Sequence, residues 1–325
     1  MKTGIVGAGA VGLALGSCLH EVGQPPLFVI RGGTEPHPLE THGLRRTGLF
    51  GEVAVAPEEL KVCRSIGDLV KHELDFLLIC TKTTASAALA RELGAIWSEL
   101  PRKPLLVICQ NGWGTAELFA EKVPRDRIAN ARIITGFRRS GGHCVEVTVH
   151  ADAIHVGSLF DSETEDISQL CSAISRGGIP CKPSTRIEAD LWAKLLYNCL
   201  LNPLGALANV PYGRLGEEAE TRALMENLAR EIFDVLRASG FETHWPNADR
   251  YLESFYGELL PATAAHESSM LQDVRAGRRT EIDALCGAVV KLGQRHGVPT
   301  PVNHALTVLI RATALGPGNS RSRAS

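Results

Sequence analysis

No two of the nine cysteines are spaced C-x-x-C, so the sequence carries neither a zinc ribbon nor a thioredoxin-like redox site, and no metal centre is expected. A basic surplus is missing too. The 34 Lys and Arg face 36 Asp and Glu, leaving a formal charge of −2, which argues against an electrostatic nucleic-acid binder. No stretch reaches the roughly 18 apolar residues of a membrane span, and there is no internal repeat. Lys2 followed by an uncharged run from Thr3 to Leu19 has the outline of a secretory signal. Gly4, Gly7, Gly9, Gly12 and Gly16 interrupt that run where such a core has to be stiffly apolar. Disorder is excluded by 44% apolar and 22% charged residues. The odd cysteine count, mostly inside apolar runs such as Leu77-Leu78-Ile79-Cys80, fits buried reduced thiols. A cytoplasmic protein is expected, meeting neither membrane nor nucleic acid.

What is present has a clear order. With 325 residues the chain holds two ordinary domains or one large one. Its first half alternates short apolar runs with helix-like segments. Lys2–Val6, Leu27–Ile30, Asp75–Cys80 and Pro104–Cys109 read as strands, with helices over Val11–Val22 and residues 84–97. Continuous rather than alternating apolar strands indicate a parallel sheet covered on both faces, hence a doubly wound α/β domain. Between Ile128 and Val156 the texture changes. Cys144–His150 alternates in period two and Gly141-Gly142 marks a turn, which predicts antiparallel strands added to that sheet. Beyond Pro180 and Pro183, residues 188–208, 217–239, 249–275 and 280–296 all show a period near 3.6. The expected division is an α/β domain over 1–180, an all-helical domain over 181–315 and a flexible tail over 316–325.

Gly7-Ala8-Gly9-Ala10-Val11-Gly12 is a G-x-G-x-x-G between a predicted strand and a predicted helix. The first glycine permits the tight turn, the second lets backbone N–H groups approach a pyrophosphate, and the third lets helix and strand pack closely. The helix N-terminus adds partial positive charge. An NAD-binding chain usually carries Asp or Glu at the end of the second strand. Here Ile30 is followed by Arg31, whose guanidinium suits a 2′-phosphate and so predicts NADP(H). The plainer reading of Arg31 is a solvated surface charge.

Lys82 and Asn111 fall just past predicted parallel strands, where such sheets place their ligands. Asn111-Gly112 is also a simple turn former. In Ala189–Ala208, Lys194, Asn198 and Asn202 lie at i, i+4 and i+8, one polar stripe on an otherwise apolar helix that Pro203 should end or kink. Such a stripe fits a helix facing a cleft; a snorkelling lysine beside two hydrogen-bonded asparagines would look the same. Further on, Thr280 and Asp283 look like a helix cap, which would put Glu281 in a first turn favouring its charge.

With these residues in hand, the chain resembles the ketopantoate reductase (2-dehydropantoate 2-reductase) family from Lys2 to about Ala314. The likeness rests on the glycine turn, Lys82, Gln110-Asn111-Gly112-x-Gly114-Thr115, and Leu191-Trp192-x-Lys194-x-x-x-Asn198-x-x-x-Asn202-Pro203. Ser268-Ser269-Met270-Leu271-Gln272-Asp273 and Thr280-Glu281-Ile282-Asp283 complete it. The resemblance implies an N-terminal Rossmann domain, a helical C-terminal domain and an active site in the cleft between. It implies NADPH-dependent reduction of ketopantoate to pantoate on the route to coenzyme A, by a monomer or homodimer acting on a small 2-oxo acid. By resemblance Lys194 is the general acid, and Asn111 contacts nicotinamide and substrate. Asn198, Asn202 and Ser269 hold the substrate's polar ends, and Glu281 orients the lysine or contacts the cofactor.

Two positions depart from the family pattern. Tyr212 stands where such chains often have a substrate-binding Asn, and Phe137 where a small residue lies near the cofactor. Both bear on the pocket, so another branched 2-oxo acid stays open as substrate. A β-hydroxyacid dehydrogenase has a similar plan, but the Ser268–Asp273 segment favours ketopantoate reductase. A non-catalytic NADP-sensing module would not need Lys194, Asn202, Ser269 and Glu281 together. Arg31→Ala is expected to weaken NADPH binding much more than NADH binding, measured as the two dissociation constants. Equal losses would count against a phosphate contact.

Overall fold

The computed structural model describes residues 1–30, 36–160 and 164–314. The chain divides into two compact units, Met1–Gln110 with Thr115–Ile187, and Asn111–Gly114 with the chain from Glu188 onward. The strands of the first unit are β1 (Thr3–Val6), β2 (Leu27–Val29), β3 (Leu44–Gly48), β4 (Val53–Val55), β5 (Lys61–Cys63) and β6 (Phe76–Ile79). Then come β7 (Leu105–Ile108), β8 (Ile128–Arg132), β9 (Thr135–Ser140), β10 (Cys144–His150), β11 (Ile154–Gly157) and β12 (Cys181–Pro183). Its helices are α1 (Ala10–Glu21), α2 (Pro38–His42), α3 (Ser86–Ile96), α4 (Thr115–Ala120) and α5 (Thr164–Arg176).

The larger sheet runs β12-β11-β8-β7-β6-β1-β2-β5. β5, β2, β1, β6, β7 and β8 pair in parallel, and β11 joins β8 antiparallel. β1, β6 and β7 are buried at every position, which explains their unbroken apolar runs. The order reverses between β1 and β6, whose ends align at Val6 and Ile79. That reversal is the crevice where Rossmann-type sheets bind their ligands.

The predicted antiparallel strands exist, but β9 and β10 are not part of this sheet. They form a second one, β4-β3-β10-β9, with two short strands not recognisable in the sequence. The reason lies in α1, which packs against β1 on one side and against β3, β4, β9 and β10 on another. Every α1 residue from Gly12 to Leu19 is buried, as a helix without a polar face must be. Val145 and Val147 of β10 supply the covering apolar face. Arg46 of β3 is buried there and donates through Nη1 to the Gly177 carbonyl at 2.9 Å.

The second unit is helical, with α6 (Ile187–Ala208), α7 (Tyr212–Leu215), α8 (Ala219–Ser239), α9 (Ala248–Ser254), α10 (Leu260–Ala262), α11 (Ser269–Arg275), α12 (Cys286–His296) and α13 (Pro301–Thr313). Pro203 does not end α6 but lies inside it. Proline leaves the carbonyl four residues back without its helical donor. That carbonyl belongs to Cys199 and accepts from the buried Cys286 thiol at 3.9 Å. The helix expected over 249–275 is broken instead: a π turn over Phe255–Leu259 leads into α10, and α11 starts afresh where Ser268 Oγ accepts from Leu271 N at 3.0 Å. The helix expected from 280 begins only at Cys286. Helix α13, not anticipated, is capped from a distance: the Glu231 carboxylate accepts from Val302 N at 2.7 Å and Asn303 N at 3.0 Å.

All nine cysteines are thiols, six of them buried. Among the described residues no helix is long and apolar enough to cross a membrane, and no cluster of His, Cys, Asp or Glu could hold a metal ion. The three glycines of the turn are expected to separate by stability. A Cβ on Gly12 would lie 2.1 Å from the Gly7 carbonyl oxygen, whereas one on Gly9 would meet nothing closer than Cys80 O at 3.7 Å. Gly12→Ala should cost about 1–3 kcal/mol by overpacking, while Gly9→Ala should stay within about 0.5 kcal/mol, both read by urea unfolding.

Candidate active site

The glycine turn follows β1. Gly7 has φ +103°, a left-handed conformation that favours glycine, and a Cβ there would sit 3.0 Å from Thr81 N at the end of β6. Gly7 N donates to Val29 O at 3.0 Å, which ties the turn to β2. Gly9 is the N-cap of α1. No side chain caps this helix and its first turn holds no acidic residue. The space above Gly9 and the positive end of α1 suit an anion, so Gly7 to Gly12 fit a dinucleotide's pyrophosphate. Ala8 is buried, and Ala10 and Val11 open the helix half-buried.

Beyond β6 and β7, Gln110 links the strand ends. Its Nε2 donates to Thr81 O at 2.9 Å and its Oε1 accepts from Ser86 Oγ at 3.0 Å. Lys82 is exposed and precedes a short 3-10 turn over Thr83–Ala85. Phe137 lies in β9 of the second sheet, half-buried against the apolar cluster that includes Ala8. Arg31 lies outside the described residues.

Asn111 comes one residue after Gln110 and belongs with the helical unit. Its Oδ1 accepts from Lys194 Nζ at 2.5 Å, so two residues 83 apart in sequence meet directly. The backbone around Asn111 is held firmly. Trp113 N donates to Ala284 O at 2.9 Å, and the Trp113 ring lies 4.7 Å from Trp192 and 5.0 Å from Phe241. Gly112 has φ +91°, and a Cβ there would lie 2.2 Å from Ala284 O. The same contact explains why α12 starts late: the Ala284 carbonyl is committed to Trp113, and Leu285 takes a non-helical backbone (φ −102°, ψ −108°).

The rest of the stripe behaves unevenly. Lys194 is half-buried, whereas Asn198 and Asn202 are 9% and 7% exposed. Asn202 Oδ1 accepts from the hydroxyl of buried Tyr212 at 2.6 Å. Burial, and secondarily Tyr197, pushes the Tyr212 phenol well above the ordinary tyrosine range. Burial likewise takes Tyr197 up to about 12. Ser269 opens α11 with an exposed side chain, and its neighbour Ser268 is the cap. Glu281 is half-buried. It does not sit in a first helical turn as expected but just ahead of the 3-10 turn Ile282–Ala284, and Thr280 caps nothing there. Through Ala284 that turn adjoins Gly112 and Trp113.

These motifs, in this order, match known sequences along nearly the whole chain. Residues 3–159 match the family model "Ketopantoate reductase PanE/ApbA", and residues 186–314 match its C-terminal model. The chain belongs to the ketopantoate reductase family. Its members are pyridine-nucleotide-dependent oxidoreductases, and this chain is an oxidoreductase of that kind. A 2-dehydropantoate 2-reductase of Aquifex aeolicus is 32% identical over 97% of each chain. The crystal structure of a PanE/ApbA family ketopantoate reductase from Ralstonia eutropha is 27% identical with a TM-score of 0.81, covering 97% of this chain and 98% of that one. A D-mandelate dehydrogenase, solved with NADH and anilino(oxo)acetate, shares the fold at 23% identity and TM-score 0.80, over 97% of this chain and 98% of that one.

Within this ketopantoate reductase fold, some residues that shape the site carry no signal in the sequence. Trp113 and Phe241 belong to no motif of the sequence that points to chemistry, and Ala284 falls inside the helix expected over 280–296. Their importance is to hold Asn111 against Lys194. Gly112→Ala is therefore expected to lower the melting temperature and to cut turnover at least tenfold, because the chain must move away from Ala284 and take Asn111 with it. Unchanged turnover in a folded Gly112→Ala variant would contradict this.

Proposed function

We propose that the protein reduces ketopantoate to pantoate with NADPH, and that Lys194 is the general acid. The observation that carries the reading is the hydrogen bond from Lys194 Nζ to Asn111 Oδ1 at 2.5 Å. It occurs in a chain whose first unit bears a glycine turn shaped for a pyrophosphate.

When bound, the dinucleotide supplies a hydride to the keto carbon. As that carbon is reduced, negative charge grows on the carbonyl oxygen. An ammonium held within hydrogen-bond reach stabilises the charge and delivers the proton. Asn111 engages Nζ and so restricts where the ammonium points. Gly7 to Gly12 would hold the pyrophosphate and Arg31 the 2′-phosphate, with Lys82 and Phe137 as further contacts to the dinucleotide. Asn198, Asn202 and Ser269 bind the polar ends of the acid. Glu281 orients the lysine or contacts the cofactor.

A second reading, a reductase of another branched 2-oxo acid, is favoured by one observation. Tyr212 is 3% exposed, so the residue at this departure from the family pattern is packed inside and bonded to Asn202. Loss of NADPH absorbance with ketopantoate and a panel of branched 2-oxo acids separates the two readings. Lys194→Ala is expected to lower kcat by roughly two to four orders of magnitude while NADPH affinity changes little. Near-normal turnover would refute the role of the amine.

A further inference from the structure

A primary amide has two faces that look alike in shape and are opposite in chemistry: Oδ1 only accepts hydrogen bonds and Nδ2 only donates them. The carboxylate and ketone of a 2-oxo acid only accept. An asparagine that binds such a substrate must present Nδ2, and a half-turn about its terminal torsion would present the wrong end. Asn202 is almost fully buried, and its Oδ1 is engaged by the Tyr212 hydroxyl at 2.6 Å.

We propose that Tyr212 is a positioning residue, whose hydroxyl holds the Asn202 amide with Nδ2 turned to the acceptor atoms of the oxo acid. This rests on the reading of the protein as a 2-oxo acid reductase. Three features make Tyr212 suited to the task. Its ring is fixed, edge-on to Tyr197 at 5.8 Å and tilted against His266 at 5.2 Å. Its backbone is fixed, since Tyr212 N donates to His266 O at 3.1 Å and Gly213 N to Ala264 O at 2.8 Å. Its hydroxyl keeps its proton throughout the working pH range, because burial disfavours the phenolate. Tyr197 is itself tied to Thr263 by a hydrogen bond, which braces the ring pair. At 3% exposure Tyr212 acts through Asn202 rather than on the substrate. The loss of the asparagine expected at this position is thus offset by a better-oriented asparagine ten residues earlier.

The test is a double-mutant cycle of Tyr212→Phe, Asn202→Ala and the pair, in the full-length enzyme. It is followed by urea unfolding and by kinetics with NADPH and ketopantoate. Tyr212→Phe is expected to raise KM roughly five- to tenfold, the span of one neutral hydrogen bond, with kcat within about threefold. In the Asn202→Ala background the same substitution should raise KM no further, and the two stability effects should be non-additive. If Tyr212→Phe does not fold, Asn202→Ala alone must show the KM rise without a matching fall in kcat. An unchanged KM, a fall confined to kcat, or additive effects on KM would overturn the proposal. Should the wild-type chain reduce no 2-oxo acid, the functional reading fails, whereas non-additive stabilities would still report the Tyr212–Asn202 bond. Additive stabilities in an active enzyme defeat the positioning role alone.

Discussion

A lysine amine at the end of four methylenes keeps one position only when something holds it, and in this chain Asn111 is one group that holds Lys194. The contact joins a loop that follows a strand to the middle of a long helix, so it depends on everything that places the loop. Trp113 packs tilted against Trp192, two residues before Lys194 in α6, and its backbone N–H donates to the Ala284 carbonyl. Gly112 lets the loop come within touching distance of the 281–285 segment. Apolar packing and backbone hydrogen bonds therefore help to place the loop that carries the amine's partner and the segment that Glu281 opens.

The glycine turn follows a different logic. Its three glycines meet three separate demands: a left-handed backbone at Gly7, open space at Gly9 and close approach of helix to strand at Gly12. The helix it opens is buried along two turns and is covered by a second small sheet. A helix that rigid keeps its N-terminal N–H groups in place. The glycine turn and the Lys194–Asn111 pair thus have different structural supports, the first built on a sheet and the second on helices.

The parallel strands were legible in the sequence because burial on both faces demands unbroken apolar runs, and β1, β6 and β7 have them. Helix α1 was legible through its glycine-marked start, and α6 and α8 through their period. Less was visible where order comes from partners far along the chain. β3 and β4 are short, with charged and small residues, and exist because α1 needs covering. α13 has its cap in Glu231 of another helix. The break between α10 and α11 and the late start of α12 reflect hydrogen bonds that draw backbone groups away from helical pairing.

Spacing along one helix is enough to show that Lys194, Asn198 and Asn202 share a face, since 3.6 residues per turn places every fourth residue nearly in line. It is not enough to show how each differs. Fold class, the dinucleotide-type turn and the polar stripe that carries Lys194 came from local periodicity and from residue types whose conformational limits act within a few positions, while the role given to Lys194 came from the family resemblance. The pairing of Lys194 with Asn111, the hydrogen bond from Tyr212 to Asn202 and the placement of Glu281 outside a helix came only with folding. Hydrogen bonds and ring packing between residues tens of positions apart obey distance in space, and no short-range pattern in a chain encodes that.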